Sequence, residues 1–278
     1  MIIANPLYDR VFKRLMENGE VARFVIGTLL EQSVVSVDVK SQEFIHMKDE
    51  PTEHELAILR LIRLDFVATI QTETGEYKKV LIEMQKVLKV ADISRFRKYI
   101  AEQYRREDTV EGEQTILPIV TIYILGFDLP EIHTACVRVD RRYYDAIHQV
   151  SISERSHFIE RLTHDSVVVQ ALRIESGRYG TKLDRLLSVF EQNHFITDSE
   201  MYKDYDLNTD DADIRRITSI LHYCATDAEE RRRIEAEDEA WRSYRDVLKE
   251  GMKDNLQTIE RQAKVIVEKE AALAEKNA

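Results

Sequence analysis

Two acidic residues interrupt neighbouring apolar segments, and they are the clearest sign of chemistry in the sequence. Alternate residues of Leu61–Gln71 are apolar, which predicts a strand, and Asp65 lies within it. The turn signal Thr74-Gly75 leads into a second strand-like run that contains Glu83 and Gln85. In a hairpin centred near Thr74 the numbers of paired residues add up to about 148, so Asp65 should lie opposite Glu83 on one face of the sheet.

A metal ion would relieve the repulsion between two facing carboxylates. Like charges opposite each other destabilise a sheet unless one carboxyl is protonated or a cation lies between them. Oxygen ligands with added water suit Mg²⁺, or Mn²⁺, better than zinc, and such an ion can activate water for phosphodiester hydrolysis. We therefore predict that the carboxyl groups of Asp65 and Glu83 lie roughly within 5 Å of each other. The alternative is an Asp and a Glu on an open sheet face that hold no metal.

The segment after the second strand reverses the charge of the chain. The whole sequence has 40 Lys and Arg against 51 Asp and Glu, a net charge of −11, which argues against a protein that coats nucleic acid by bulk charge. Residues 86–106, however, contain seven basic and two acidic residues. This reversal predicts contact with a polyanion, although a solvated helix face would show the same pattern. The candidate contacts are Lys86, Arg95, Arg97, Lys98 and Tyr99.

The elements that must position these residues form a mixed α/β pattern up to about residue 130. Apolar spacing and β-branched runs predict, in order, a helix or helical hairpin, a strand, the β-hairpin, a helix and a buried strand. These lie at Tyr8–Glu31 with a break near Asn18-Gly19, at Val34–Val39, at Leu61–Val87, at Ser94–Tyr104 and within Thr115–Phe127.

The rest of the chain gives weaker signals. We predict a mostly helical extension over residues 131–240, with a candidate strand at Val137–Val139 and helices at Ser153–Leu172 and Leu183–Gln192. The acidic stretch Asp198–Glu239 is interpreted as solvated helix faces and loops. Residues 241–278 have apolar side chains three or four apart, which predicts a long amphipathic helix. This helix is a candidate contact for a weak homodimer, or it packs back on its own chain.

The sequence does not indicate a membrane protein or a protein with a zinc–cysteine site. No apolar run approaches the roughly 18 residues that span a bilayer, and the N-terminus does not look like a signal peptide, so we predict a cytoplasmic protein without a membrane partner. Cys136 and Cys224 fit no disulfide framework or zinc motif. His157 and His164 lie seven residues apart without a third ligand at suitable spacing, so a structural role is predicted for them.

Five short motifs, taken in order, resemble the PD-(D/E)XK nuclease superfamily. Within it, the branch of recombination-promoting nucleases and transposase-like proteins is the most similar. The resemblance runs over about residues 5–130. Its motifs are Asn5-Pro6-Leu7-Tyr8-Asp9-Arg10-Val11-Phe12-Lys13, Arg63-Leu64-Asp65-Phe66, Leu81-Ile82-Glu83-Met84-Gln85-Lys86, Arg95-Phe96-Arg97-Lys98-Tyr99 and Tyr123-Ile124-Leu125-Gly126.

The resemblance implies a restriction-endonuclease-like core, with a central mixed β-sheet flanked by helices. It implies that Asp65 and Glu83 bind the metal, Mg²⁺ or Mn²⁺, and that Gln85 orients the attacking water. It also suggests that Asp9 and Lys13 approach the site, although an ordinary surface ion pair is an equal interpretation. The implied activity is that of a metal-dependent DNA endonuclease of transposase-like type.

Two departures from the motif matter for that activity. Leu64 stands where the superfamily motif has proline, and Gln85 replaces the motif lysine. A glutamine can hold a water molecule but supplies no positive charge. The alternative is therefore a nuclease fold that serves as a DNA-binding or protein-interaction module without turnover.

Overall fold

A six-stranded mixed β-sheet forms the centre of the protein. The structure is a computed structural model, and it describes residues 1–41, 65–86, 90–196, 200–206, 210–243 and 246. Its strands are β2 (Val34–Ser41), β3 (Asp65–Thr72), β4 (Tyr77–Gln85), β7 (Ile119–Leu125), β8 (Cys136–Val139) and β11 (His164–Gln170). Side by side in the sheet, they follow the order β2-β3-β4-β7-β11-β8.

The remaining elements surround this sheet. The helices are α1 (Asp9–Met16), α2 (Gly19–Leu30), α3 (Val90–Arg105), α4 (His157–Glu160), α5 (Lys182–Phe190), α6 (Ala212–Thr226) and a further helix over residues 228–243. The short strands form three two-stranded pairs and are β1 (Ile2–Ala4) with β12 (Tyr202–Asp204), β5 (Asp108–Val110) with β6 (Glu113–Thr115), and β9 (Tyr143–Asp145) with β10 (Val150–Ile152). Within the described ranges, every helix is too short or too polar to cross a bilayer.

The first helical segment is a hairpin of two helices, as the break near Asn18-Gly19 predicted. The Asn18 side chain accepts a hydrogen bond of 3.1 Å from the backbone N–H of Val21 and so caps α2. Helix α1 ends at Met16, two residues before this cap. Both helices bury their apolar residues in the larger of two hydrophobic clusters.

The β3–β4 hairpin has the predicted register. Its turn contains Gly75 with a φ of 81°, a left-handed conformation that a residue without Cβ adopts at little cost. Counting back from the turn, Gln71 pairs with Tyr77 and Asp65 pairs with Glu83. The predicted strand at Val34–Val39 extends the hairpin as β2, which is antiparallel to β3.

The two faces of the sheet carry different clusters. Even-numbered residues of β4, such as Ile82 and Met84, belong to the larger cluster with α1 and α2. Odd-numbered Leu81 belongs to a smaller cluster with Phe96, Tyr99 and other residues of α3. Strand β7 lies between β4 and β11 and is parallel to both, so it is buried on both faces as its continuous apolar run predicted.

The predicted boundary near residue 130 does not divide the sheet. Strands β8 and β11 lie beyond it and complete one edge, so residues 131–240 contribute strands to the central sheet as well as helices. The candidate strand at Val137–Val139 is confirmed as part of β8, and the helix at Leu183–Gln192 corresponds to α5. The helix predicted over Ser153–Leu172 is wrong.

The error at Ser153–Leu172 has a physical cause. Only His157–Glu160 is helical, and His164–Gln170 forms β11 instead. Residues 167–169 are three consecutive valines, whose branched Cβ atoms favour a strand. Pairing on both sides, with β7 and β8, then decides the conformation.

The acidic stretch near the C-terminus is also not simply a solvated surface. Glu230 is 6% exposed and Asp238 is 3% exposed, although both are acidic residues. The carboxylate of Glu230 receives two hydrogen bonds of 2.7 Å from the guanidinium of Arg10. These buried acids attach the helix of residues 228–243 to α1.

Most of the predicted amphipathic helix of residues 241–278 lies outside the described residues. Homodimer formation through it therefore stays a prediction. Trp241, which we placed at its start, is 9% exposed and contacts the rest of the chain. A chain truncated after Ala240 would lose the proposed dimer contact. It would also lose the buried side chain of Trp241.

The Arg10–Glu230 pair should contribute measurably to stability. We expect Glu230→Ala to lower the free energy of unfolding by about 2 kcal/mol, because it leaves a partly buried guanidinium without its charged acceptor. The matched control Glu229→Ala, on an exposed pair with Arg233, should cost less than about 0.5 kcal/mol. Urea unfolding of both variants measures this difference.

The same pair predicts a pH dependence. The hydrogen bonds from Arg10 lower the pKa of Glu230 below its ordinary value, so the stabilisation is present at neutral pH and is lost as the pH falls through the lowered pKa. The gap between wild type and Glu230→Ala should therefore shrink in acid. A gap that is constant with pH would contradict this assignment.

Candidate functional site

Glu83 lies at the centre of the candidate site. It is 2% exposed, on the strand between β3 and β7. Its cross-strand partners are Asp65 on β3 and Tyr123 on β7. The side chain of Asp65 lies outside the described residues, so the distance between the two carboxyl groups stays a prediction.

The surroundings of Glu83 are aromatic and apolar. By strand alternation it shares a face with Leu81, whose cluster includes Phe96 and Tyr99 of α3. Burial raises the pKa of the neighbouring Tyr123 to about 12, and the charge of Glu83 acts in the same direction. A carboxylate in such a place is costly to keep charged unless cations or hydrogen bonds compensate it. Glu83 is therefore a candidate ligand for a cation.

Gln85 is half-buried at the end of β4, two residues from Glu83 and on the same face. Its backbone carbonyl accepts a hydrogen bond of 2.8 Å from the N–H of Gly126. A Cβ on Gly126 would lie 3.2 Å from the Cα of Lys86, so the two chains pack closely here. The ends of β4 and β7 are therefore held together next to the candidate site.

Lys86, one of the predicted DNA contacts, lies against two aromatic rings. Its ammonium lies 3.2 Å from the centroid of the Tyr8 ring and 5.5 Å from that of the Trp241 ring. This is the α1 side of the sheet, opposite to the face of Glu83. Lys86 is half-buried there, and its role as a phosphate contact stays a prediction.

The other predicted DNA contacts lie on α3. Arg97 and Lys98 are exposed, as the prediction requires. Tyr99 is corrected, because it is 8% exposed and its ring packs 6.2 Å from that of Phe96 in the smaller cluster. The side chain of Arg95 lies outside the described residues. The apolar face of α3 thus buries Tyr99, and its opposite face presents the two cations.

Asp9 and Lys13 form an ion pair of 3.0 Å on α1. Helix α1 covers the opposite side of the sheet from Glu83. The backbone N–H groups of Asp9 and Arg10 donate hydrogen bonds of 2.7 and 3.1 Å to the carboxylate of Glu237. This geometry is the ordinary ion pair that we gave as the alternative interpretation. A supporting role of Asp9 and Lys13 in catalysis stays a prediction.

Glu237 is a residue that sequence reasoning missed. It comes from the acidic stretch that we interpreted as solvated, yet it caps the N-terminus of α1, where a negative charge is favourable. Burial raises its pKa above the ordinary value, whereas the charge of Lys86 and the two backbone donors act against that rise. Only its position four residues before Trp241, on one helix face, hinted at a buried role.

The two histidines do not form a metal site with each other. His164 Nδ1 lies 2.9 Å from the hydroxyl of Tyr104, and burial together with the charge of Arg141 lowers its pKa. This hydrogen bond agrees with the predicted structural role. His157 is exposed at the start of α4.

The donors at the end of the hairpin suit a hard cation. Among the side chains that the structure describes, no group of three His, Cys, Asp or Glu residues could hold a metal ion. Glu83 and Gln85 supply a carboxylate and an amide oxygen, and Asp65 is the acidic residue opposite in the register. A set of oxygen donors with a buried carboxylate fits Mg²⁺ or Mn²⁺.

Metal binding at Glu83 can be tested without any activity assay. Mg²⁺ at about 100 times its dissociation constant should raise the melting temperature of the wild type by about 5 °C. Glu83→Gln should lose this rise, because it removes the buried charged ligand, while the exposed control Glu113→Gln should keep it. Differential scanning calorimetry with and without Mg²⁺ measures the shifts. Equal shifts in all three proteins would exclude Glu83 as a ligand.

Similarity to known proteins gives no independent assignment for the chain. No family model, curated protein or solved structure matches it. Its function must therefore be inferred from the residues and geometry of the site.

Proposed function

We propose that the protein is a Mg²⁺-dependent DNA endonuclease with a restriction-endonuclease-like core, of the transposase-like type. The observation that carries this proposal is the pairing of Asp65 with Glu83 at the centre of a mixed sheet, with Glu83 almost fully buried. A buried acidic residue with a second acidic residue opposite it on the next strand is a candidate for a functional site. The motif resemblance over residues 5–130 supports the same assignment.

In this proposal Asp65 and Glu83 hold the metal. When bound, Mg²⁺ would supply a positive charge that polarises the scissile phosphate and lowers the pKa of water. Gln85 lies on the same face as Glu83, where its amide oxygen can accept a hydrogen bond from a water molecule and so orient a lone pair of that water. Glu83, fixed by strands on both sides, gives the site a rigid ligand.

Helix α3 offers the surface for DNA. It packs on the face of the sheet that includes Glu83, and Arg97 and Lys98 are exposed on it. Their charges lie within an acidic protein, so attraction to a phosphate backbone is local rather than spread over the molecule. The proposed DNA path therefore runs along α3 towards the end of β4.

One observation favours a second function, a module that binds without turnover. Gln85 stands where the motif has lysine, so the site lacks that positive charge. If the fold serves only for binding, the wild type should show no nicking, and Gln85→Lys should create or increase it. A Gln85→Lys variant with less activity than the wild type would instead support glutamine as the working residue.

The activity is tested by nicking of supercoiled plasmid in Mg²⁺. We expect Asp65→Ala and Glu83→Ala to abolish nicking, because each loses a metal ligand, and Glu113→Ala to keep it. DNA binding without metal should be retained or improved in the first two variants, since less negative charge faces the phosphates. Equal nicking by wild type and both site variants would reveal a contaminating nuclease and end the proposal.

The DNA surface is tested by salt dependence. We expect the double substitution Arg97→Ala with Lys98→Ala to weaken DNA binding and to reduce the slope of log affinity against log salt by about 2, one for each lost phosphate contact. Arg215→Ala with Arg216→Ala removes two exposed cations of α6 and serves as the control. Fluorescence anisotropy at several salt concentrations gives both slopes, and equal slopes would place the DNA elsewhere.

A further inference from the structure

We infer that Lys86 is a positioning residue for the candidate site, and that the helix of residues 228–243 holds it in place. The rings of Tyr8 and Trp241 lie against its ammonium, and its charge acts on the carboxylate of Glu237. We call Tyr8, Trp241 and Glu237 the Lys86 cage. Two of these three come from that helix, more than 140 residues further along the chain. The inference rests on the proposed function, because it concerns the same metal site.

The Lys86 cage is built from aromatic rings and one carboxylate. The Lys86 ammonium lies 3.2 Å from the centroid of the Tyr8 ring and 5.5 Å from that of the Trp241 ring, both within the range of cation–π attraction. The charge of Lys86 also acts on the Glu237 carboxylate and favours its ionised form. Lys86 is thus held by several interactions and does not extend into solvent like a surface lysine.

The helix that supplies this cage is itself firmly attached. The hydroxyl of Tyr8 donates a hydrogen bond of 2.6 Å to Asp238, which is 3% exposed. Glu237 accepts the backbone N–H groups at the start of α1, and Glu230 pairs with Arg10. The same helix therefore fixes α1, Tyr8 and the Lys86 ammonium together.

The position of Lys86, directly after the last residue of β4, transmits this attachment to the site. Lys86 follows Gln85 directly, and successive residues at a strand end face opposite sides of the sheet. Anchoring Lys86 on the α1 side sets the backbone orientation that places Gln85 on the side of Glu83. The hydrogen bond from Gly126 to the Gln85 carbonyl leaves this backbone little freedom to adjust.

The experiment measures Mg²⁺ affinity of the full chain by isothermal titration calorimetry. Lys86→Met keeps the aliphatic stem and removes the charge, and we expect it to weaken Mg²⁺ binding by at least about tenfold, the usual effect of losing a group that orients ligands. Lys86→Arg, which can still bind aromatic rings, should recover most of the affinity. Lys78→Met, near the other end of β4 and paired with Glu76, is the control and should bind as the wild type does.

Two further measurements distinguish a positioning role of Lys86 from a purely structural one. Trp241 is the single tryptophan of the chain, so its fluorescence reports the Lys86 cage directly. We expect its emission to change on addition of Mg²⁺ to the wild type and not to Glu83→Gln. If Lys86→Met does not fold, Glu237→Gln replaces it, since this variant keeps an acceptor for the α1 backbone and removes the charge facing Lys86. It should weaken Mg²⁺ binding in the same direction.

The outcomes separate the inference from the proposed function. Unchanged Mg²⁺ affinity in Lys86→Met, or an equal loss in Lys78→Met, would overturn the positioning role and leave the nuclease proposal intact. Metal binding with the expected Lys86 effect but without nicking would support the positioning role and contradict the nuclease proposal. A wild type that binds no Mg²⁺ would overturn both.

Discussion

The register of the β3–β4 hairpin is the constraint on which the candidate site depends. Side chains alternate between the faces of a strand, so a shift by one residue would move Glu83 to the other face of the sheet. Two features prevent that shift. The turn at Gly75 determines which residues of β3 and β4 pair. In addition, the apolar residues of β4 must pack against α1 and α2 on one face and against α3 on the other. Packing of both faces thus selects the pairing of Asp65 with Glu83.

The position of β4 within the sheet explains how a carboxylate comes to be buried. Strand β3 covers one edge of β4 and the parallel strand β7 covers the other, while α3 covers the face that includes Glu83. Strand β7 is in turn paired with β11, from well beyond residue 130. The sheet that holds the site therefore includes strands from well beyond residue 130, and the fold does not divide there into a complete core and an appendage.

Acidic residues have two different uses in this protein. Many lie on the surface and give the chain its net charge of −11. Others act inside the structure: Glu230 pairs with Arg10, Glu237 caps α1, and Asp238 accepts the hydroxyl of Tyr8. Each of these three lies on the helix of residues 228–243. That helix thus joins α1 to the end of β4 through specific polar contacts, and not through apolar packing alone.

The sequence by itself determined the longer elements between Tyr8 and Phe127 and their order, but not the short strands β1, β5 and β6. The helical hairpin with its Asn18 cap, the β3–β4 hairpin and the central strand all follow from short-range patterns of apolar residues and turn residues. The register of Asp65 against Glu83 followed in the same way, because a tight turn relates the numbers on both sides of it. Information of this kind is contained within a few residues of chain.

Tertiary structure alone decided the features that join distant segments. Residues 164–170 form a strand because β7 and β8 pair with them, although their spacing also suited a helix. Tyr99 is buried because the apolar side of α3 packs against one face of the sheet. The Lys86 ammonium meets Tyr8 and Trp241, residues that are 78 and 155 positions away in the chain. No local pattern encodes such contacts, because they depend on which surfaces remain to be buried once the sheet has formed.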